Sequence, residues 1–154
     1  MLRIRPSALI AASCALALSL AAQAAPPTKA EQTLKYRKSL YQVIAWNFGP
    51  MSAMAQGKIP YDPKEFAMRA ERVATIAPML SESFPAESKG VAGSELKPEM
   101  WNNRADFDTK MKNLVDKSAA LATAAKTGDF AKSKAAFLET GNACKSCHDK
   151  YKND

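Results

Sequence analysis

The spacing of apolar residues constrains the fold of this chain more than any other feature. Four stretches place them at intervals of three and four residues, which is the spacing of one helix face. No stretch alternates with period two over the length of a strand. The four series are Leu34, Arg37, Tyr41, Ile44, Phe48, Met51 and Ala55; Phe66, Ala70, Val73, Ala77 and Leu80; Phe107, Met111, Leu114, Ser118, Leu121 and Ala125; and Phe130, Lys134, Phe137, Gly141, Cys144, His148 and Tyr151. The sequence therefore predicts an all-α fold with four helices.

Residues that typically begin and end helices flank these stretches. Thr28 to Glu31 form a capping box before the first helix, and Gly57 follows it. Asp62, with proline next to it and glutamate three residues on, marks the start of the second helix. Gly128 ends the third helix and Asp129 caps the fourth. The links after the first and third helices are therefore short.

The remaining link is longer and contains proline, glycine and serine. We expect Pro78 to kink or end the second helix, and Phe84 to Pro98 to connect it to the third. Short links make neighbouring helices antiparallel, whereas the longer one can run back along the bundle. The predicted architecture is an up-down-up-down, left-handed four-helix bundle with crossing angles of about 20°.

The start of the chain has the pattern of a secretory signal peptide. Arg3 and Arg5 form a basic region, Ala8 to Leu20 is apolar, and Ala22 to Ala24 fits the small-residue cleavage rule. The apolar run is too short for a membrane anchor, which needs about 20 residues. We expect residues 1–24 to be removed and residues 25–154 to form one periplasmic domain that does not enter the membrane.

The chain is basic, and its basic residues are spread along the sequence. It has 22 Lys and Arg residues against 15 Asp and Glu, and cleavage would remove two of the basic ones. Basic proteins often bind nucleic acid, but export and the mixing of basic with acidic side chains argue against that class. The sequence therefore predicts no nucleic-acid partner.

One motif carries the chemistry. Cys144, Cys147 and His148 form Cys-x-x-Cys-His, the signature of covalent c-type haem attachment. Cysteines one helical turn apart can reach two vinyl groups on one edge of a porphyrin. His148 lies four residues after Cys144, on the same face, and can direct a ring nitrogen at the iron. The motif predicts one haem per chain.

Other uses of this cysteine spacing are less consistent with the sequence. A structural zinc site needs four protein ligands, and the chain has one histidine and, after cleavage, two cysteines. A thioredoxin-like site needs a βαβ setting, which is absent from the pattern. A plain disulfide between Cys144 and Cys147 remains the alternative in an oxidising compartment.

The motif near the C-terminus of a helical chain resembles cytochrome c′, a class II c-type cytochrome. Five segments carry the resemblance: Lys35 to Ser39, Phe48 to Met51, Gly57 to Asp62, Lys97 to Trp101, and Cys144 to Tyr151. It covers essentially the whole chain after the signal peptide. It implies high-spin, five-coordinate haem, binding of NO or CO at the open face, a possible electron-transfer role with a redox partner protein, and homodimers paired through the first two helices.

The resemblance also implies residue roles. The two thioether cysteines fall on Cys144 and Cys147, and the axial iron ligand on His148. The arginine near a haem propionate falls on Arg37, and the variable distal position on Tyr41. Arg37 lies on the apolar face of its own helix, where an unpaired charge is costly to bury. A propionate would compensate it, although the side chain could instead extend to solvent. Tyr41 could equally be a core residue.

Three further expectations concern function. An enzyme such as a peroxidase needs a distal acid or base, most often histidine, and the only histidine is committed to iron. We therefore expect no enzymatic activity.

The main alternative is a low-spin class II cytochrome with a Met sixth ligand that only carries electrons, and Met111 is the methionine hardest to exclude. Basic residues near the last helix could attract an acidic redox partner: Lys126, Lys132, Lys134, Lys145, Lys150 and Lys152.

Overall fold

The computed structural model describes residues 25–153, so the signal peptide expected at residues 1–24 lies outside the described chain. Five α-helices follow in order: α1 Lys29–Ala55, α2 Pro63–Glu82, α3 Glu99–Asn102, α4 Arg104–Ala125 and α5 Phe130–Tyr151. A single 3-10 turn, Ala86–Ser88, precedes α3. Within residues 25–153 no extended strand is present, only an isolated bridge between Leu96 and Lys152.

The four long helices form the predicted four-helix bundle. α1 packs against α2, α2 against α4, α4 against α5, and α5 against α1. α3 is a single turn within the long connection between α2 and α4. The predicted all-α, up-down-up-down architecture is therefore confirmed.

The predicted helix ends are also present. Thr28 and Glu31 form the capping box of α1, and Gly57 follows it with a φ of 69°. Asp62 caps α2 through two backbone N–H groups, and Asp129 caps α5. Each cap accepts hydrogen bonds from amides that have no partner within the helix.

Pro78 does not end α2, so that part of the prediction is wrong. The helix continues through Pro78 to Glu82. Pro78 is exposed, so water can bind the carbonyl of Ala74, which would otherwise accept the missing N–H. The helix therefore extends far enough to bring Leu80 into the buried cluster that also contains Phe107 and Tyr151.

The buried face of α5 differs from the predicted one. Phe130 is 38% exposed and Lys134 is exposed, whereas Ser133 and Thr140 are buried. Ser133 bonds the hydroxyl of Tyr61, and Thr140 donates to two backbone carbonyls. These bonds satisfy polar side chains that an apolar pattern assigns to solvent.

Two clusters of buried side chains fill the bundle, one towards each end. The first, the far-end cluster, contains Met51, Met54, Ala55, Phe66, Ala70, Val73, Leu121, Ala125 and Phe137. The second, the cavity-end cluster, contains Leu40, Ala77, Leu80, Phe84, Met100, Phe107, Met111, Leu114, Ala143 and Tyr151. Trp101 is half-buried against the cavity-end cluster, together with Tyr41 and both cysteines. No described helix has the length and apolar character needed to cross a membrane.

Candidate haem site

A cavity of about 500 Å³ opens at the end of the bundle where Phe84, Phe107 and Tyr151 of the cavity-end cluster lie. Its walls come from the first half of α1, from the connection between α2 and α4, from α4 and from the end of α5. Arg37, Tyr41, Cys147 and His148 all line it. The fold thus brings residues from both ends of the sequence to one space, whose size is typical of small-molecule sites.

His148 and Tyr41 are neighbours in the wall of this cavity, and their rings form an edge-on pair. Their ring centroids are 6.4 Å apart, with an angle of 61° between the ring planes. Although part of His148 is exposed, partial desolvation lowers its pKa below the usual value, and nearby Lys152 lowers it further. The imidazole is therefore neutral near pH 7, which is the form that binds metals.

Tyr41 is held as a neutral phenol. Burial raises its pKa above the usual value of 10.0, and nearby Cys147 contributes in the same direction. A neutral phenol is a poor iron ligand, because binding favours the phenolate. Tyr41 can therefore occupy space at the cavity without competing strongly for a metal.

Cys144 and Cys147 are both free and half-buried. The structure thus contains no disulfide between them. Burial raises the pKa of Cys144 and raises that of Cys147 to about 11. Among the described residues no three His, Cys, Asp or Glu side chains form a cluster able to hold a metal ion. Cys144, Cys147 and His148 instead suit a metal held in an organic ring, with the two thiols bonded to the ring and the histidine bound to the metal.

Arg37 is buried rather than extended to solvent, with 4% of its surface exposed. Its Nε and Nη2 donate to the carbonyl of Ser83 at 2.9 and 2.7 Å, and Nη2 also donates to Ser88 Oγ at 2.8 Å. The guanidinium lies 4.1 Å from the centroid of the Phe84 ring. Nη1 makes no hydrogen bond to any residue between 25 and 153.

The charge of Arg37 is not compensated by the described chain. None of the ion pairs among residues 25–153 includes it. Burial lowers its pKa below its usual value, yet a guanidinium stays protonated in proteins. A buried cation at a cavity without a carboxylate partner is costly. A ligand that brings its own carboxylate, as haem does with its propionates, would provide the missing charge.

Lys152 also lines the cavity, and its ammonium lies 3.2 Å from a carboxylate oxygen of Glu95. The Glu95 carbonyl accepts from the N–H of Asn153, and the N–H of Lys97 donates to the carbonyl of Tyr151. The long connection is therefore fastened to the end of α5, directly after the haem motif.

Most of the lysines expected to attract a redox partner are already paired. Of that set, Lys126, Lys132, Lys145, Lys150 and Lys152 each lie within salt-bridge distance of a carboxylate. Lys134 alone in the set has no such partner within the described residues. Exposed pairs contribute little energy, but each one reduces the local positive charge.

The sequence did not indicate Ser83, Phe84, Ser88 and Glu95 as parts of the site. They lie in the long connection, which has no periodic pattern. Ser88 and Arg37 are 51 residues apart. Only the spatial path of this connection reveals the contact.

The geometry fits a flat cofactor with carboxylate groups, and similarity to known proteins identifies the family. The family model described as Cytochrome C′ matches residues 32–152. The chain belongs to the cytochrome c′ family. Its cofactor is accordingly one covalently bound haem c, and the protein is a c-type cytochrome of the electron-transport class.

Individual relatives agree with this membership. The chain is 45% identical over 129 residues to cytochrome c′ of Rubrivivax gelatinosus, covering 80% of this chain and 96% of the relative. Cytochrome c prime from Shewanella frigidimarina has 41% identity and a TM-score of 0.79, covering 84% of this chain and 100% of that one. A nitric oxide complex of a cytochrome c prime mutant from Alcaligenes xylosoxidans has 32% identity and a TM-score of 0.76, covering 84% and 99%.

Proposed function

We propose that the protein is a periplasmic mono-haem cytochrome c′ whose iron is high-spin and five-coordinate, binding NO or CO and carrying electrons. The observation that supports this most directly is the lining of the cavity. Among its described lining residues there is neither a methionine nor a second histidine, and the ring nearest to His148 is that of Tyr41. One face of the iron would then be open to a small ligand. The nitric oxide complex of a relative supports the choice of gas.

The residue roles follow from the same arrangement. Cys144 and Cys147 would form the two thioether bonds, and neutral His148 would bind the iron from the α5 side. Arg37 would compensate a propionate. Tyr41 would cover the open face and exclude water from it. The haem itself supplies the iron that binds gas and changes oxidation state.

The low-spin alternative requires a methionine to reach the iron. Met111 is 2% exposed and belongs to the cavity-end cluster, but it does not line the cavity. Met51 belongs to the far-end cluster. The residues of the cavity thus favour an open iron over a methionine-bound one.

Absorption spectroscopy of the purified protein tests this function. The expected spectra are high-spin in both oxidation states, with new bands when CO or NO is added to the ferrous form. A low-spin ferric spectrum with a methionine-to-iron charge-transfer band, and no reaction with CO, would support the electron carrier with a Met sixth ligand instead.

We also propose that the protein forms homodimers through α1 and α2. Apolar side chains are exposed on these helices, including Trp46 at 75%, Val43 at 45% and Met68 at 41%. Val43 and Met68 line a shallow groove between α1 and α2. Trp46→Lys should shift the protein from dimer to monomer in sedimentation experiments. Leu138→Lys is the matched control, because Leu138 is 52% exposed on α5.

Export through a cleaved signal peptide at residues 1–24 completes the proposal, since thioether attachment at Cys144 and Cys147 takes place outside the cytoplasm. Mass spectrometry of the purified periplasmic protein should give a chain that begins at Ala25. We propose no catalytic role, because the cavity offers no second histidine as an acid or base.

A further inference from the structure

The segment from Ser83 to Ser88 surrounds the guanidinium of Arg37. It accepts three hydrogen bonds from the side chain, two at the Ser83 carbonyl and one at Ser88 Oγ. The Phe84 ring covers one face of the group. We infer that this segment, here named the arginine clamp, is a positioning device that fixes Arg37 so that Nη1 can hold a haem propionate. The inference rests on the proposed role of Arg37.

The clamp is itself rigid. Ser83, Phe84 and Ser88 are each no more than 2% exposed. Ser83 Oγ donates to the carbonyl of Leu80 at 2.7 Å, and Ser88 Oγ donates to the carbonyl of Pro85 at 2.8 Å. Because Ser88 uses its proton on Pro85, its lone pairs are available to Nη2 of Arg37. The Ser88 acceptor is therefore oriented before any ligand binds, and the buried backbone at Ser83 holds the carbonyl acceptor.

The clamp leaves two N–H groups of the Arg37 guanidinium free. A guanidinium has five N–H groups. The clamp takes the one on Nε and both on Nη2. The two on Nη1 remain, and Arg37 lines the cavity. A carboxylate in the cavity is the ligand whose charge and acceptors match this remainder.

Such positioning matters because a charge stabilises a carboxylate strongly only when its location is fixed. A nearby cation lowers the pKa of a carboxylic acid by about 1–3 units. A mobile arginine would spend part of its time away from the propionate and lower that pKa less. Ser88 does not line the cavity and would act on the haem only through Arg37, whereas Phe84 both covers Arg37 and lines the cavity.

The test measures how the reduction potential of the haem protein depends on pH, since propionate ionisation shifts that curve. Arg37→Gln should raise the apparent propionate pKa by about 1–3 units. Ser88→Ala should move it in the same direction by a smaller amount. Phe84→Leu, which removes the ring but keeps apolar bulk, should do likewise and serves if Ser88→Ala does not fold.

A double variant separates positioning from general packing. If Ser88 acts only through Arg37, adding Ser88→Ala to Arg37→Gln should cause no further shift. Ser118→Ala is the matched control, because Ser118 is fully buried on α4 and bonds only the Val115 carbonyl. Lys38, Glu95 and Lys152 also line the cavity but stay unchanged in every variant.

The outcomes are distinguishable. An unchanged curve in Arg37→Gln would refute the propionate contact itself. A shifted curve in Arg37→Gln with unchanged curves in Ser88→Ala and Phe84→Leu would overturn the clamp alone. The clamp would also be overturned if Ser88→Ala shifted the apparent propionate pKa equally in the unmodified protein and in Arg37→Gln. The serine would then act independently of Arg37.

Discussion

Removing the Tyr41 ring is expected to accelerate CO binding to the ferrous protein. The ring lines the cavity next to that of His148, with 6.4 Å between the two centroids. If it covers the open face of the iron, a gas molecule can bind only after the ring moves aside. Tyr41→Ala removes that step.

The size of the effect follows from the contacts that the Tyr41 ring loses, and the rotamer strain it acquires, when it moves aside. An aromatic contact contributes about 0.5–1.5 kcal/mol beyond its buried area. Holding a displaced side chain off its preferred rotamer costs about 0.5–1.5 kcal/mol. Together they add about 1–3 kcal/mol to the barrier. Since about 1.4 kcal/mol is a factor of ten in rate, Tyr41→Ala should bind CO roughly 5 to 150 times faster.

Flash photolysis of the ferrous CO complex measures this rate directly. Tyr41→Phe keeps the ring and loses only the hydroxyl, so its rate should stay close to that of the unmodified protein. Tyr36→Ala removes an exposed tyrosine from the same helix and should have no effect. An unchanged rate in Tyr41→Ala would refute steric cover by this ring.

Three further predictions concern attachment, stability and acid response. Haem should stay with the chain on denaturing gels and resist acid-acetone extraction, but Cys144→Ala with Cys147→Ala should release it. Phe66→Ala, at a fully buried site of the far-end cluster, should cost about 3–5 kcal/mol and lower Tm by about 10–20 °C in calorimetry, with an unaltered haem spectrum. The Tyr151 hydroxyl donates to the Asp106 carboxylate and lowers the pKa of that group below its usual 3.8. The contribution of this bond to the free energy of unfolding is present above pH 4 and is lost as the pH falls. In urea unfolding measured from pH 7 to pH 3, Tyr151→Phe should therefore lose less stability on acidification than the unmodified protein.

Helix positions could be predicted from sequence because their signals are local. The caps at Thr28, Asp62 and Asp129 need only residues three positions away. The haem motif is likewise local, since Cys144 and His148 share one helix. Local patterns also gave the antiparallel links, and hence the bundle.

Features that depend on long-range bonding could not be predicted. The buried side of α5 contains Ser133 and Thr140 because partners outside α5 satisfy them, Tyr61 in the link before α2 and the Lys117 carbonyl on α4. The continuation of α2 past Pro78 depends on which side of that helix faces water. The clamp around Arg37 requires the path of a connection that carries no periodic pattern. In each case the deciding group lies far away in the sequence.

The separation of the two buried clusters has a consequence for the chain before it receives haem. No member of the far-end cluster lines the cavity, and its Phe137 ring stacks on that of Phe48 with 4.3 Å between centroids. The cavity-end cluster instead borders the space that the cofactor fills. We expect the chain without haem to be ordered in the far-end cluster and more loosely packed around the cavity, where Cys147 and His148 lie. Binding of the cofactor would then complete the packing of the second end of the bundle, so that haem attachment and the last step of folding are coupled.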